Sequence, residues 1–331
     1  MFGIDILVQK VLLLTVMVLL GLVLCRVRLA DEKLSKGFAD VVIYVSQPAM
    51  IIYGFMEAEF TRAIILTSLC VFSFAIIFHF GFYGIAKLLF RKAPTAQQRC
   101  LRYATVFTNT GFMGIPLISE LISPTAAVYA TFYVVAFNVF NWTLGCYIYT
   151  DDRKYMQAKK MLINPATIPT YIGFAIFVAA GLITLPASIE PFFSSFLAPL
   201  VKDNILFLLK STVVPLSMMM IGIRLADCEL KTMFRDKYMM LLFAVRLVII
   251  PLVVIGFMKL VIITGLIPQE IIIPAATVLC ISASTPVAAL ATVFAEKLHG
   301  DAAYASKLVS LSTLLSLLTM PILAAILTKI I

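Results

Sequence analysis

Ten runs of about twenty mostly apolar residues, separated by short polar turns, leave this chain few ways to fold. The runs lie near 6–25, 37–56, 63–88, 102–122, 126–149, 166–186, 204–223, 238–263, 269–294 and 304–328. As helices rising about 1.5 Å per residue they are long enough to cross the hydrocarbon of a bilayer. No stretch between them has the length of a soluble domain. Composition agrees: 62% of the 331 residues are hydrophobic and 13% charged, against about 25% charged in soluble domains. The chain is expected to be an all-α polytopic membrane protein.

The net charge of +9 reads as topology rather than as a nucleic-acid surface, because most basic residues flank the apolar runs. Nineteen of the 26 Lys and Arg fall in the turns after spans 1, 3, 5, 7 and 9: within 26–36, 87–102, 153–160 and 224–237, and at Lys297 and Lys307. By the positive-inside rule those five turns are cytoplasmic and both termini lie outside the cell membrane. The N-terminus has no short basic region followed by a small-residue cleavage site, so span 1 is expected to be retained.

An odd number of spans per half lets a duplicated unit sit upside down relative to its copy, and the prolines show such a repeat. "YVSQPAMIIYGF" in span 2 and "STVVPLSMMMIG" in span 7 each place a proline at mid-span, Pro48 and Pro215, 167 residues apart. Pro116 in span 4 and Pro286 in span 9, within "CISASTPVAALA", are 170 residues apart. The division is a first five-span repeat over 1–149, a short cytoplasmic connector at 150–165 and a second repeat over 166–331.

Span 4 contains "FTNTGFMGIPL", with two glycines, a proline and an asparagine in the middle of a segment that crosses lipid. Broken backbone is tolerated at membrane depth only where it is buried in protein or lines a wet cavity. Interrupted helices at matching positions of inverted halves point to the midplane site of a secondary transporter. The alternative is that Gly111 and Gly114 only permit close helix packing and Pro116 only kinks the span.

At these residues the chain resembles the auxin efflux carrier family. "NTGFMGIPL" in span 4, "PLSMMMIGIRLA" in span 7 and "STPVAALATVFAEKLHGDAAYAS" from span 9 into span 10 carry the resemblance, which covers essentially the whole chain. It implies ten helices in two inverted five-helix repeats. Spans 1, 2, 6 and 7 would form a scaffold, and spans 3–5 and 8–10 a mobile transport part. Broken helices 4 and 9 would cross at their prolines, as in cation/proton antiporters and bile-acid transporters. A homodimer is implied by the resemblance alone. The connector near Thr150–Asn164 is short, unlike the long loop of the plant auxin exporters, so the likeness is to a bacterial-type member.

The half-helices that begin near Pro116 and Pro286 come from opposite faces and direct their N-termini at the midplane. Each carries about half a positive charge and unpaired N–H donors, which favour an anion. The preceding halves end there with free carbonyls, so sign alone leaves the ligand open, and a donor such as Asn109 tips the balance. Asn109, Thr110, Gly111, Pro116, Ser282, Ser284, Thr285 and Pro286 are the expected substrate-binding set, for a small organic carboxylate. Asn109 is the residue that matches the family's span 4 motif; the serines and Thr285 rest on position.

Other polar residues within spans leave alternatives. Lys210 either snorkels to the interface or guides an anion. Arg246 is too deep to be only a topology signal, with Asp40 as one candidate charge partner and gating as one candidate role. Asn138 and Asn141 either pack against the crossing or bond across helices. Met218, Met219 and Met220 read as packing, or as a pliable wall.

No HExxH, GxSxG or paired intramembrane aspartates support an enzyme, and the six cysteines are scattered singly. No cofactor, metal or nucleic-acid partner is expected. Span 5, "VVAFNVFNW", has no carboxylate to exchange protons. The function expected is export of a small organic anion by elevator-type alternating access. A sodium- or proton-coupled carrier of the same fold is the alternative, followed by a channel or sensor.

Overall fold

The computed structural model describes residues 4–152, 154, 163, 167–183, 190–226, 234–298 and 300–330. Among these, twelve helices account for nearly the whole chain. They are α1 (Ile4–Arg26), α2 (Glu32–Glu57), α3 (Arg62–Leu89), α4 (Thr95–Val106), α5 (110–121) and α6 (124–150). The second half follows with α7 (Thr167–Leu182), α8 (190–226), α9 (Lys237–Thr264), α10 (Gln269–Ser284), α11 (Leu290–Lys297) and α12 (Ala302–Ile330). Six of them, α2, α3, α6, α8, α9 and α12, are each long and apolar enough to cross a membrane. The protein is therefore an all-helical integral membrane protein.

Span 4 is divided into α4 and α5 and span 9 into α10 and α11, as the helix breakers required. Span 7 corresponds to the longer α8, which begins at Glu190 because Phe192, Phe193, Phe196 and Leu197 extend its apolar run. The connector at 150–165, Cys228 and His299 fall largely or wholly outside the described residues.

Proline leaves a regular imprint on the helices. A five-residue π-turn occupies Val42–Ser46 before Pro48, Thr110–Gly114 before Pro116 and Val245–Ile249 before Pro251. Each proline lacks an N–H and its ring would strike the carbonyl one turn back, so the preceding turn widens to make room. Span 4 consequently does not break at Pro116. The proline sits in the first turns of α5, where a missing N–H costs little, and the break falls two turns earlier, at Phe107–Asn109.

Two groups of helices pack among themselves: α1, α2, α7 and α8 on one side, and α3 to α6 with α9 to α12 on the other. In the first group α1 and α8 touch backbone to backbone. A Cβ on Gly21 would lie 2.1 Å from the Met219 carbonyl oxygen, and one on Gly222 would lie 1.9 Å from that of Val18. Only glycine permits that approach, which replaces the hydrophobic driving force absent in lipid with close van der Waals contact. Ser46 and Thr212, on the interrupted stretches of α2 and α8, share a hydrogen bond of 2.6 Å.

Candidate functional site

The two breaks meet. The chain is extended at Phe107 and at Thr285, and the two breaks run antiparallel, with Thr108 opposite Val287. The Asn109 N–H donates to the Pro286 carbonyl at 2.9 Å, and the Ala288 N–H donates to the Phe107 carbonyl at 3.0 Å. A third donor, the Val287 N–H, reaches Ser312 Oγ of α12 at 3.2 Å. Backbone groups that two helices lost are thus paired with each other, as a buried segment without water demands. Span 9 crosses beside its proline. Span 4 crosses at Thr108, well before Pro116, which corrects the expectation that both cross at their prolines.

Behind this crossing lies a closed polar wall. Thr110 Oγ1 stands 2.7 Å from Thr108 Oγ1 and 3.4 Å from both the Ser282 carbonyl and Thr285 Oγ1. Thr285 Oγ1 donates to the Ser282 carbonyl at 2.8 Å. Arg246 of α9, fully buried, donates from Nη2 to the Thr285 carbonyl at 2.9 Å. The carbonyls that end α10 are therefore capped by hydroxyls and a guanidinium. Thr110, Thr285, Pro286 and Arg246 build the crossing and do not border open space, and Ser282 is buried among them. Pro116 is buried within α5, and Ser284 donates back to the Cys280 carbonyl of its own helix at 2.8 Å.

In front of the crossing is a cavity of about 1,100 Å³. Of the expected binding residues, Asn109 and Gly111 line it. The Asn109 backbone is committed, since its carbonyl accepts from the N–H groups of Met113 and Gly114 at 2.9 and 3.3 Å. Its side-chain amide, on a residue only 3% exposed, has no hydrogen-bond partner among the described residues. Asn138 also lines the cavity. It donates to the Val134 carbonyl at 3.0 Å, which leaves its amide oxygen available. Asn141 instead bonds across helices, accepting from the Tyr103 hydroxyl.

Gln47 is a cavity residue that the sequence reading passed over. It is 7% exposed and immediately precedes Pro48. A Cβ on Gly111 would fall 2.9 Å from Gln47 Nε2, so the glycine is what lets this amide approach the start of α5. The signal was present in "YVSQPAM": an amide beside a helix breaker at membrane depth. Trp142, Phe112, Val134 and Phe137 supply apolar wall.

The N-termini of α5 and α11 both border the cavity, through Asn109 and Gly111 on one and Ala288, Ala289 and Leu290 on the other. The first N–H groups of a helix have no partner within it and carry partial positive charge; here the Asn109 and Ala288 N–H groups are taken by the crossing, and the residues that follow them border open space. The cavity opens on the face that holds Glu32, Lys36, Glu296, Lys297 and Lys307.

Asp40 belongs to this mouth, is exposed, and makes no ion pair with Arg246. A salt bridge between them is excluded by placement: the guanidinium is buried on the far side of the crossing, and moving a carboxylate there would incur its full desolvation cost. Lys210 lies away from the cavity, with Nζ 3.7 Å from the centre of the Tyr53 ring. Met218 and Met220 are buried in the core, as packing.

Comparison with known proteins agrees with this architecture. A family model described as membrane transport protein matches residues 6–324. A protein of Methanothermobacter thermautotrophicus described as an uncharacterized transporter is 24% identical over 322 residues, covering 96% of this chain and 98% of that one. Because the family match runs through both broken helices and almost every helix around them, the chain belongs to the auxin efflux carrier family of membrane transport proteins.

Proposed function

We propose that the protein exports a small organic anion, a carboxylate, which binds in the cavity against the Asn109 amide and the N-termini of α5 and α11. One observation carries this reading: the crossing sorts its polar ends. The carbonyls that end α10 are capped behind it by Thr110, Thr285 and Arg246, while the N-terminal residues of α5 and α11 and the Asn109 amide border the cavity. An anion completes such a front and a cation does not. Gln47 and Asn138 would hold its polar periphery, and Trp142 and Phe137 its carbon skeleton.

The chain would cross the membrane ten times, counting α4 with α5 and α10 with α11 as single broken spans, in two inverted repeats. The Ser46–Thr212 bond between matching positions of the two halves favours that arrangement. Lys36, Lys297 and Lys307 at the cavity mouth belong to the basic turns, so the conformation described is open to the cytoplasm and both termini lie outside. The group α1, α2, α7 and α8, tied by glycine contacts, would be the static scaffold of a homodimer. The remaining helices would carry the crossing across as an elevator.

Export of an anion without a counter-ion moves net negative charge outward in each cycle, and an inside-negative potential favours it by about 2.3 kcal/mol per charge per 100 mV. The test is current in proteoliposomes loaded with mono- or dicarboxylates on one side. A potential-dependent, saturable current supports the proposal. Electroneutral flux that follows a sodium or proton gradient at zero potential would identify a coupled carrier instead.

A further inference from the structure

Among the described residues, the largest fully buried side chain is a charged one, Arg246. Its Nη2 donates to the Thr285 carbonyl at 2.9 Å, while Nε and Nη1 have no partner among the described residues. No carboxylate stands within ion-pair distance of it among those residues. An unpaired guanidinium at membrane depth is costly unless something of opposite sign faces it. What faces it is backbone: α10 ends at Ser284, beside the carbonyl that Arg246 holds, and α4 ends at Val106 in the same crossing.

Each of those C-termini carries about half a negative charge, and the N-termini of α5 and α11 carry about half a positive charge each. The four ends cancel. Arg246 then adds one whole positive charge that does not titrate away at any physiological pH.

We propose that Arg246 is a fixed positive charge at the crossing, which makes the empty carrier anion-selective. The inference rests on the anion reading above and adds what sets the sign of the site. Arg246 is a positioning residue, because it reaches the Thr285 carbonyl and does not line the cavity.

Arg246 sits in α9, within the group of helices assigned to movement. The empty moving part therefore carries one positive charge, and the part loaded with a monocarboxylate carries none. The potential-dependent half of the cycle becomes the return of the empty carrier, and the loaded step is electrically silent. The net charge moved per cycle is unchanged.

The experiment is transient charge movement after voltage steps across bilayers containing the purified protein, with no substrate present. Wild type is expected to show it, unaltered when sodium is replaced by choline. Arg246→Lys keeps the charge and retains the movement, whereas Arg246→Gln keeps a donor but loses the charge and the movement. Retained charge movement in a folded Arg246→Gln overturns the proposal. If that variant does not fold, wild type and Arg246→Lys still decide: absent or sodium-dependent charge movement in wild type, or its loss in a folded Arg246→Lys, overturns it. Adding a monocarboxylate to one face should suppress the transient. A transient that every carboxylate leaves unchanged sinks the carboxylate reading while the fixed-charge assignment stands.

Discussion

The front and back of the crossing are made of similar residues in different states. Behind it, Thr110 and Thr285 bond each other and the Ser282 carbonyl, and Thr110 reaches Thr108, which itself borders the cavity, all nearly or fully buried. In front, the amides of Asn109 and Gln47 are almost as buried yet remain without protein partners. The back wall is mainly a fastening, with Ser282 Oγ and Arg246 Nε and Nη1 left without partners among the described residues, whereas the front amides border open space. Asn109 and Thr110, one position apart, end in different categories because the chain leaves the crossing and enters the π-turn of α5 between them.

The sharpest way to break this comparison is Asn109→Asp, which preserves shape and puts a negative charge at the front. At about 4 Å and an effective dielectric constant of about 20, repulsion of a carboxylate is on the order of 4 kcal/mol, about a thousandfold in affinity. Equilibrium binding by calorimetry checks this, and near-normal affinity would remove Asn109 from the anion's contacts. Asn109→Ala should weaken carboxylate binding by about 1.5 to 3 kcal/mol, the range for a hydrogen bond to a charged group. Its thermal unfolding temperature should not move, since no protein hydrogen bond is lost. A lower unfolding temperature with unchanged affinity would make the front another fastening.

Thr110→Val tests the opposite side. It leaves Thr108 Oγ1 with only its 3.4 Å contact to the Tyr133 hydroxyl and the Ser282 carbonyl with only the Thr285 hydroxyl on it, so stability should fall by about 1 kcal/mol while the dissociation constant stays the same. An affinity loss larger than the stability loss would mean that the back wall reaches the ligand. The smallest effect is expected for Asp40→Asn at the cavity mouth. An exposed carboxylate that does not pair with Arg246 should change stability by no more than about 0.5 kcal/mol, as read by thermal unfolding of the detergent-solubilised protein. A drop of several times that size would restore the ion pair that the structure excludes.

The sequence by itself determined the solvent, the helical class and the segments that break. Apolar run length is a local property, and nearly every helix boundary falls within a few residues of the run that announced it. The helix breakers in "FTNTGFMGIPL" marked span 4 as broken, and the exceptional cost of unpaired backbone in lipid is why the two breaks pair with each other. That Asn109 sits at the break was legible for the same reason. What remained hidden depended on rotation and on distant partners. Whether Thr110 or Asn109 faces the cavity follows from a widened turn ahead of Pro116 and from pairing with Thr285–Ala289, more than 170 residues away in the chain. Gln47 becomes a cavity residue only because α2 brings it against Gly111. Arg246 could be placed at depth by counting, but its partner is a backbone carbonyl, which has no letter in the sequence. Polarity along a chain is written residue by residue, whereas the sorting of donors to one face and acceptors to the other exists only once two broken helices have crossed.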